Sequence, residues 1–130
     1  MWGRIDGLRT LDLGTPGDLR TRLNALVLLG RKRATAGLMD LDYLDEAERP
    51  EHVGERLVLV DDVGDRVAEV EVTDVELTRL GEVTWEFADA LGEGFTTVLE
   101  WRRTYEEYWA KRGQEVDDRS RVVCVRFRLV

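Results

Sequence analysis

Gly30-Arg31-Lys32-Arg33-Ala34-Thr35 places three consecutive cations in an otherwise acidic chain. Arginine grips a phosphate through a planar fork of N–H donors, and lysine offers a compact charge, so this run reads as an anion site built from Arg31, Lys32 and Arg33. A plainer reading is that the cations offset the negative end of a preceding helix, each contributing roughly 0.3–1 kcal/mol. That account places them in the last turn, whereas these lie beyond Gly30. Glu93 is the second candidate, because it stands between Gly92 and Gly94. A carboxylate on a loop is more often functional than one on a helix face, although Gly-Glu-Gly also makes a tight turn between helices.

Other residue types exclude whole classes of chemistry. The chain has one histidine, His52, one serine, Ser120, and one cysteine, Cys124. A histidine metal cluster and an internal disulfide framework are therefore impossible, and no metal or other cofactor is implied. Ser120 lies in Asp117-Asp118-Arg119-Ser120-Arg121, without the Gly-x-Ser-x-Gly elbow of a hydrolytic nucleophile. Asp40-x-Asp42 followed by Glu51 has the outline of a calcium loop, but Asp45 stands where that loop needs glycine. His52 reads as solvated, and Cys124 as a small buried hydrophobe.

The 130 residues argue for one domain, and 43% hydrophobic with 35% charged residues describes a globular chain. The longest apolar run, Ala25 to Leu29, falls far short of the roughly 18–20 residues of a membrane span. Met1-Trp2-Gly3-Arg4 opens no export signal, so a cytoplasmic protein without a membrane partner is expected. The net charge of −8 argues against broad coating of duplex DNA or RNA and leaves room for a local basic groove.

The elements that must hold these residues follow from periodicity. Thr15-Pro16-Gly17-Asp18 reads as a turn ending in an N-cap, and Leu19, Leu23, Leu26 and Val27 then mark an amphipathic helix closed by Gly30. Residues 5–13 read as a short strand or an arm, and residues 31–38 as a loop entering a strand. Asp40 to Glu55 is expected to be a long solvated loop. Arg56 to Val60, a turn at Asp61 to Asp65, and a return from Arg66 to Val75 make a hairpin, with Ala68, Val70 and Val72 on its buried face. Helices are predicted over Trp85 to Leu91, capped by Thr84, and over Thr97 to Arg112. The second carries Val98, Trp101, Tyr105, Tyr108 and Trp109 as an aromatic stripe, either core or a stacking platform. Arg121 to Val130 closes the chain as a strand. This order predicts an α+β domain with a mostly antiparallel, curved sheet.

Taken together, these residues resemble the ASCH domain family, the activating-signal-cointegrator homology domains. Gly30-x-Lys32-x-x-Thr35 is similar to the family's Gly-x-Lys-x-x-Thr, and Val53-Gly54-Glu55 to its Val-Gly-Asp step. Val83-Thr84-x-x-x-Ala88 with Gly92-Glu93-Gly94 resembles its Ala-x-x-Glu-Gly-Glu-Gly segment. Trp101 with Tyr108-Trp109, and Val122 to Phe127, resemble its last helix and closing strand. The likeness spans about residues 18 to 130, leaving residues 1–17 as an N-terminal arm of a single-domain chain.

The resemblance implies a PUA-like fold: a small, partly open antiparallel β-barrel flanked by helices, with a cleft for RNA, a nucleotide or a modified nucleoside. It also implies that some relatives are hydrolases, which cleave RNA or remove the acetyl group of N4-acetylcytidine with a lysine, a threonine and a glutamate. By position these are Lys32 and Thr35. The glutamate position falls on Leu91, with Glu93 the nearest carboxylate; Tyr105 replaces the helix histidine, and Phe95 stands where many members have aspartate. A threonine hydroxyl attacks an acyl carbon only when a base takes its proton, and a lysine serves if burial or neighbouring cations lower its pKa. A carboxylate then orients the lysine or moves the proton.

Three readings follow. The first is a binding module whose Arg31, Lys32 and Arg33 hold phosphate while Trp85 stacks on a base. The second is a small hydrolase of the same fold using Lys32, Thr35 and Glu93. The third is a protein-interaction domain that keeps the fold without the ligand.

Overall fold

A computed structural model describes residues 1–130. The strands are β1 (Arg4–Ile5), β2 (Leu8–Leu11), β3 (Ala34–Leu38), β4 (Arg56–Val60), β5 (Arg66–Arg79) and β6 (Arg121–Leu129). The helices are α1 (Asp18–Leu28), α2 (Trp85–Ala90) and α3 (Val98–Lys111), with a π-helical turn at Met39–Leu44 and a 3-10 turn at Leu80–Glu82. The strands form one open sheet in the order β1-β2-β4-β5-β6-β3. Every pairing is antiparallel except β2 with β4. This is the α+β class and mostly antiparallel sheet that the strand and helix periodicities predict.

The sheet carries an apolar cluster on each face. Leu23 and Val27 of α1 pack with Leu57, Leu59, Val70, Val72, Val123, Val125 and Phe127 on one side. Phe87, Leu91, Trp101 and Trp109 from the region of α2 and α3 pack with Val122 and Cys124 on the other. Because β6 separates the two clusters, Val122 to Val125 are all buried. The expected alternation along β5 stops at a register shift between Val72 and Asp74. An extra residue there carries the inward phase from Val72 to Val75, which joins the α1 side of the core. The strand therefore runs on to Arg79 rather than ending at Val75.

Two local expectations are corrected. The N-cap of α1 is Gly17, at φ 111, and Asp18 is the first helical residue. The acidic stretch from Asp40 to Glu55 lies largely at the surface but is not wholly solvated: it opens on the π-helical turn, and Tyr43, Glu48 and Glu51 are buried at 3%, 8% and 6% exposure. Distant arginines account for this. Arg4 donates to both oxygens of Glu48 at 2.6 and 2.9 Å, and Arg9 donates to both oxygens of Glu55 at 2.7 and 2.6 Å. Those arginines come from the first seventeen residues. There Thr10 and Leu11 pair with Val58 and Leu59 of β4, and Leu11 and Leu13 enter the core.

Candidate functional site

A cleft of about 540 Å³ opens between the β2–α1 connection, β3, the π-helical turn and α3. That size suits small-molecule sites, which span roughly 300–1,000 Å³. Lys32, Thr35 and Glu93 all line it.

The placement of Lys32 begins at the end of α1. Gly30 adopts φ 75, and the amides of Arg31 and Lys32 both donate to the carbonyl of Leu26, at 3.0 and 3.1 Å. The Arg33 amide donates to the carbonyl of Ala90 at 2.9 Å, which ties this segment to the end of α2. Only glycine fits next along that seam: a Cβ on Gly92, which sits at φ 67, would lie 2.1 Å from the Arg31 carbonyl oxygen. The close approach carries Glu93 to Lys32. Strand alternation then sends Ala34 and Leu38 of β3 into the core beside α2 and α3, while Thr35 lines the cleft.

The Lys32 ammonium donates to Glu93 Oε2 at 2.9 Å and to the Leu91 carbonyl at 3.4 Å. Its side chain is 1% exposed and that of Glu93 is 9%. The Tyr105 hydroxyl donates to the same Oε2 at 2.6 Å. Burial lowers the Lys32 pKa, and Glu93 opposes that shift through its charge and hydrogen bond. Burial, followed by the charge of Glu93, raises Tyr105 well above its ordinary value and keeps it a donor. Leu91 is fully buried in the core, so at that position the chain contributes only a carbonyl. Phe95 packs edge-on to Tyr105 at 6.3 Å. Thr35 lines the same cleft, and its hydroxyl makes no hydrogen bond to Lys32 or Glu93.

The other expected residues lie elsewhere. Arg31 and Arg33 are exposed and do not line the cleft, since an extended segment that turns Lys32 inward turns its neighbours out. Trp85 is 39% exposed and also lies outside the cleft. The arginines that do line it are Arg20 and Arg112. Arg20, 7% exposed, donates to the carbonyls of Leu13 and Gly14, and Arg112 donates to Asp42 at 2.7 Å.

The aromatic stripe of α3 divides between its two readings. Trp101 and Trp109 are core residues, whereas Tyr105 and Tyr108 line the cleft. Trp2, Tyr43 and Glu51 complete a wall that has no local sequence signal. Trp2 and Tyr43 meet with ring centroids 5.1 Å apart, and the Tyr43 hydroxyl donates to Glu51 Oε1 at 2.7 Å. Five carboxylates line the cleft (Asp12, Asp42, Glu46, Glu51 and Glu93) against the three side-chain cations Arg20, Lys32 and Arg112. No group of three or more His, Cys, Asp or Glu side chains is placed to hold a metal ion. No helix is long and apolar enough to cross a membrane.

Comparison with known proteins agrees with this architecture. A search of curated proteins finds no match. Among solved structures the chain is similar to a protein from Enterococcus faecalis, with 26% identity and a TM-score of 0.79 over 91% of this chain and 73% of that one. It is also similar to an ASCH domain from Lactobacillus crispatus, with 24% identity and a TM-score of 0.71 over 84% of this chain and 70% of that one. The sequence profile of the ASCH domain matches residues 12–130, nearly the whole length. The chain therefore belongs to the ASCH domain family.

Proposed function

We propose that this chain is a small amidohydrolase acting on an acylated nucleoside such as N4-acetylcytidine, held in the cleft above Lys32. Membership in the ASCH family supports an RNA-binding-like role in general. The observation that carries the finer reading is the buried Lys32–Glu93 pair, 2.9 Å apart, in the same cleft as an uncommitted threonine hydroxyl.

In the proposed reaction, neutral Lys32 takes the proton of Thr35 Oγ1 as that oxygen bonds to the acetyl carbon. Burial already shifts the amine towards this neutral form. Glu93 holds the amine in place and relays its proton, and Tyr105 fixes the carboxylate oxygen. The amide C–N bond breaks as the proton passes to the departing N4 atom. Water, deprotonated by Lys32, then cleaves the acetyl ester on Thr35 and releases acetate. Tyr105 and Tyr108 supply ring faces for the base.

A phosphodiester substrate suits this cleft less well, because its carboxylates outnumber its side-chain cations. A second reading, recognition without turnover, draws on the absence of a Thr35–Lys32 hydrogen bond. Incubation with N4-acetylcytidine, followed by mass spectrometry, decides between them. The native chain is expected to release cytidine and acetate, and Thr35→Ala to bind cytidine without forming product. Binding by the native chain with no product would leave the recognition module.

A further inference from the structure

The wall of the cleft away from Lys32 contains a buried carboxylate without an ionic partner. Glu51 is 6% exposed and makes no salt bridge, whereas buried carboxylates are ordinarily paired. The cation whose charge reaches it, Arg9, is committed to Glu55 and to the carbonyl of Arg49. Tyr43 donates to Oε1, and no other side chain donates to Oε2. Glu51 nevertheless lines the cleft. Along the wall, Glu93, Tyr105, Tyr108, Arg112 and Asp42 make successive contacts, and Tyr43, next to Asp42 in sequence, holds Glu51.

Burial raises the Glu51 carboxyl and the Tyr43 hydrogen bond opposes that shift; in its ionised form the group only accepts hydrogen bonds. We infer that Glu51 is the specificity-determining residue of the cleft, accepting hydrogen bonds from the paired hydroxyls of a ribose. This rests on the amidohydrolase reading, which puts the exocyclic nitrogen of the base at Lys32 and Glu93. The sugar is then the remaining part of the nucleoside that carries donors. Tyr43 anchors Oε1, and no side chain engages Oε2 of this cleft-lining residue. A site built to accept from a hydroxyl discriminates against the analogue that lacks it, because the buried acceptor is left unpaired.

Calorimetric binding tests this independently of turnover, with cytidine, 2′,3′-dideoxycytidine and N4,N4-dimethylcytidine as probes. The native chain is expected to bind cytidine at least about tenfold more tightly than the dideoxynucleoside, and N4 methylation to leave the Glu51 effect unchanged. In Glu51→Gln the tyrosine still holds the side-chain carbonyl and the amide turns its N–H groups to the cleft, where a hydroxyl can only accept from them, so the preference is expected to fall severalfold. Tyr43→Phe releases the anchor and is expected to weaken the same preference, which gives a reading should the glutamine variant fail to fold. A native chain indifferent to the diol overturns the inference, as does a preference that survives both substitutions. Loss of the Glu51 effect on N4 methylation, with diol removal harmless, would assign the carboxylate to the base and overturn it as well. Diol-dependent binding without hydrolysis of N4-acetylcytidine would reject the amidohydrolase reading and leave this one standing.

Discussion

A Cβ at position 92 would fall 2.1 Å from the carbonyl oxygen of Arg31, so the backbones of the two candidate loops meet at a glycine. The contact is with main chain and cannot be relieved by a side-chain rotation. Gly92 also sits at φ 67, where an L-residue is strained by roughly 1–3 kcal/mol. Gly92→Ala is expected to lower stability by at least that amount and to part Glu93 from Lys32. Urea unfolding checks the first effect. Turnover of N4-acetylcytidine by the folded fraction checks the second, and native values for both would remove the seam from the account.

The Lys32–Glu93 pair makes a prediction about stability. Removing one member of a buried pair strands the other charge, typically at a cost of about 3–5 kcal/mol. Lys32→Met alone should therefore destabilise strongly, and Lys32→Met with Glu93→Leu should cost less than the sum of the single changes. A double-mutant cycle in denaturant measures the coupling. Additive single effects would mean that the pair does not exist in solution.

The acid limb of stability should depend on Glu48. Arg4, followed by the Trp2 amide, holds its carboxyl down to about 2 in the folded chain, against an ordinary 4.5. Between those values the unfolded chain binds the additional proton. The stabilisation from Glu48 is thus complete above about pH 4.5 and is lost as the pH falls towards 2. Thermal melts across this range should slope less steeply for Glu48→Gln than for the native chain, and identical slopes would contradict the assignment.

Arg31 and Arg33 flank the catalytic candidate in sequence but stand outside the cleft. Replacing both by alanine should change stability by no more than about 0.5 kcal/mol and leave nucleoside turnover intact. A loss comparable to that of a Lys32 substitution would show that the ligand extends over this surface.

Much of the architecture was legible in local pattern. Thr84 caps α2 as predicted, accepting from Phe87, and Thr97, expected as the first residue of α3, is instead its cap, accepting from Glu100. The hairpin of β4 and β5 follows its alternation as far as the bulge. Lys32 and Glu93 also stood out, through a charge run and a glycine pair, and Thr35 through the family resemblance alone. The other wall was illegible because its partners are far apart in sequence. Tyr43 and Glu51 lie in a segment whose acidity suggests water, and their burial depends on the N-terminal residues, where Trp2 packs on Tyr43 and Arg4 and Arg9 pair with Glu48 and Glu55. Trp85 attracted attention because it is aromatic, although the ring faces of the cleft belong to Tyr105 and Tyr108, hidden within a stripe that otherwise forms core.

The most direct test of the central claim is kcat/KM for N4-acetylcytidine as a function of pH, for the native chain and for Lys32→Ala and Glu93→Gln. The native rate should rise with pH to a plateau whose midpoint lies below the ordinary lysine value of 10.5, as the buried amine loses its proton. Each substitution should lower the plateau by about a hundredfold or more while cytidine binding persists. Absence of native turnover, or turnover that survives Lys32→Ala with its pH profile unchanged, would contradict the claim that the Lys32–Glu93 pair performs the chemistry.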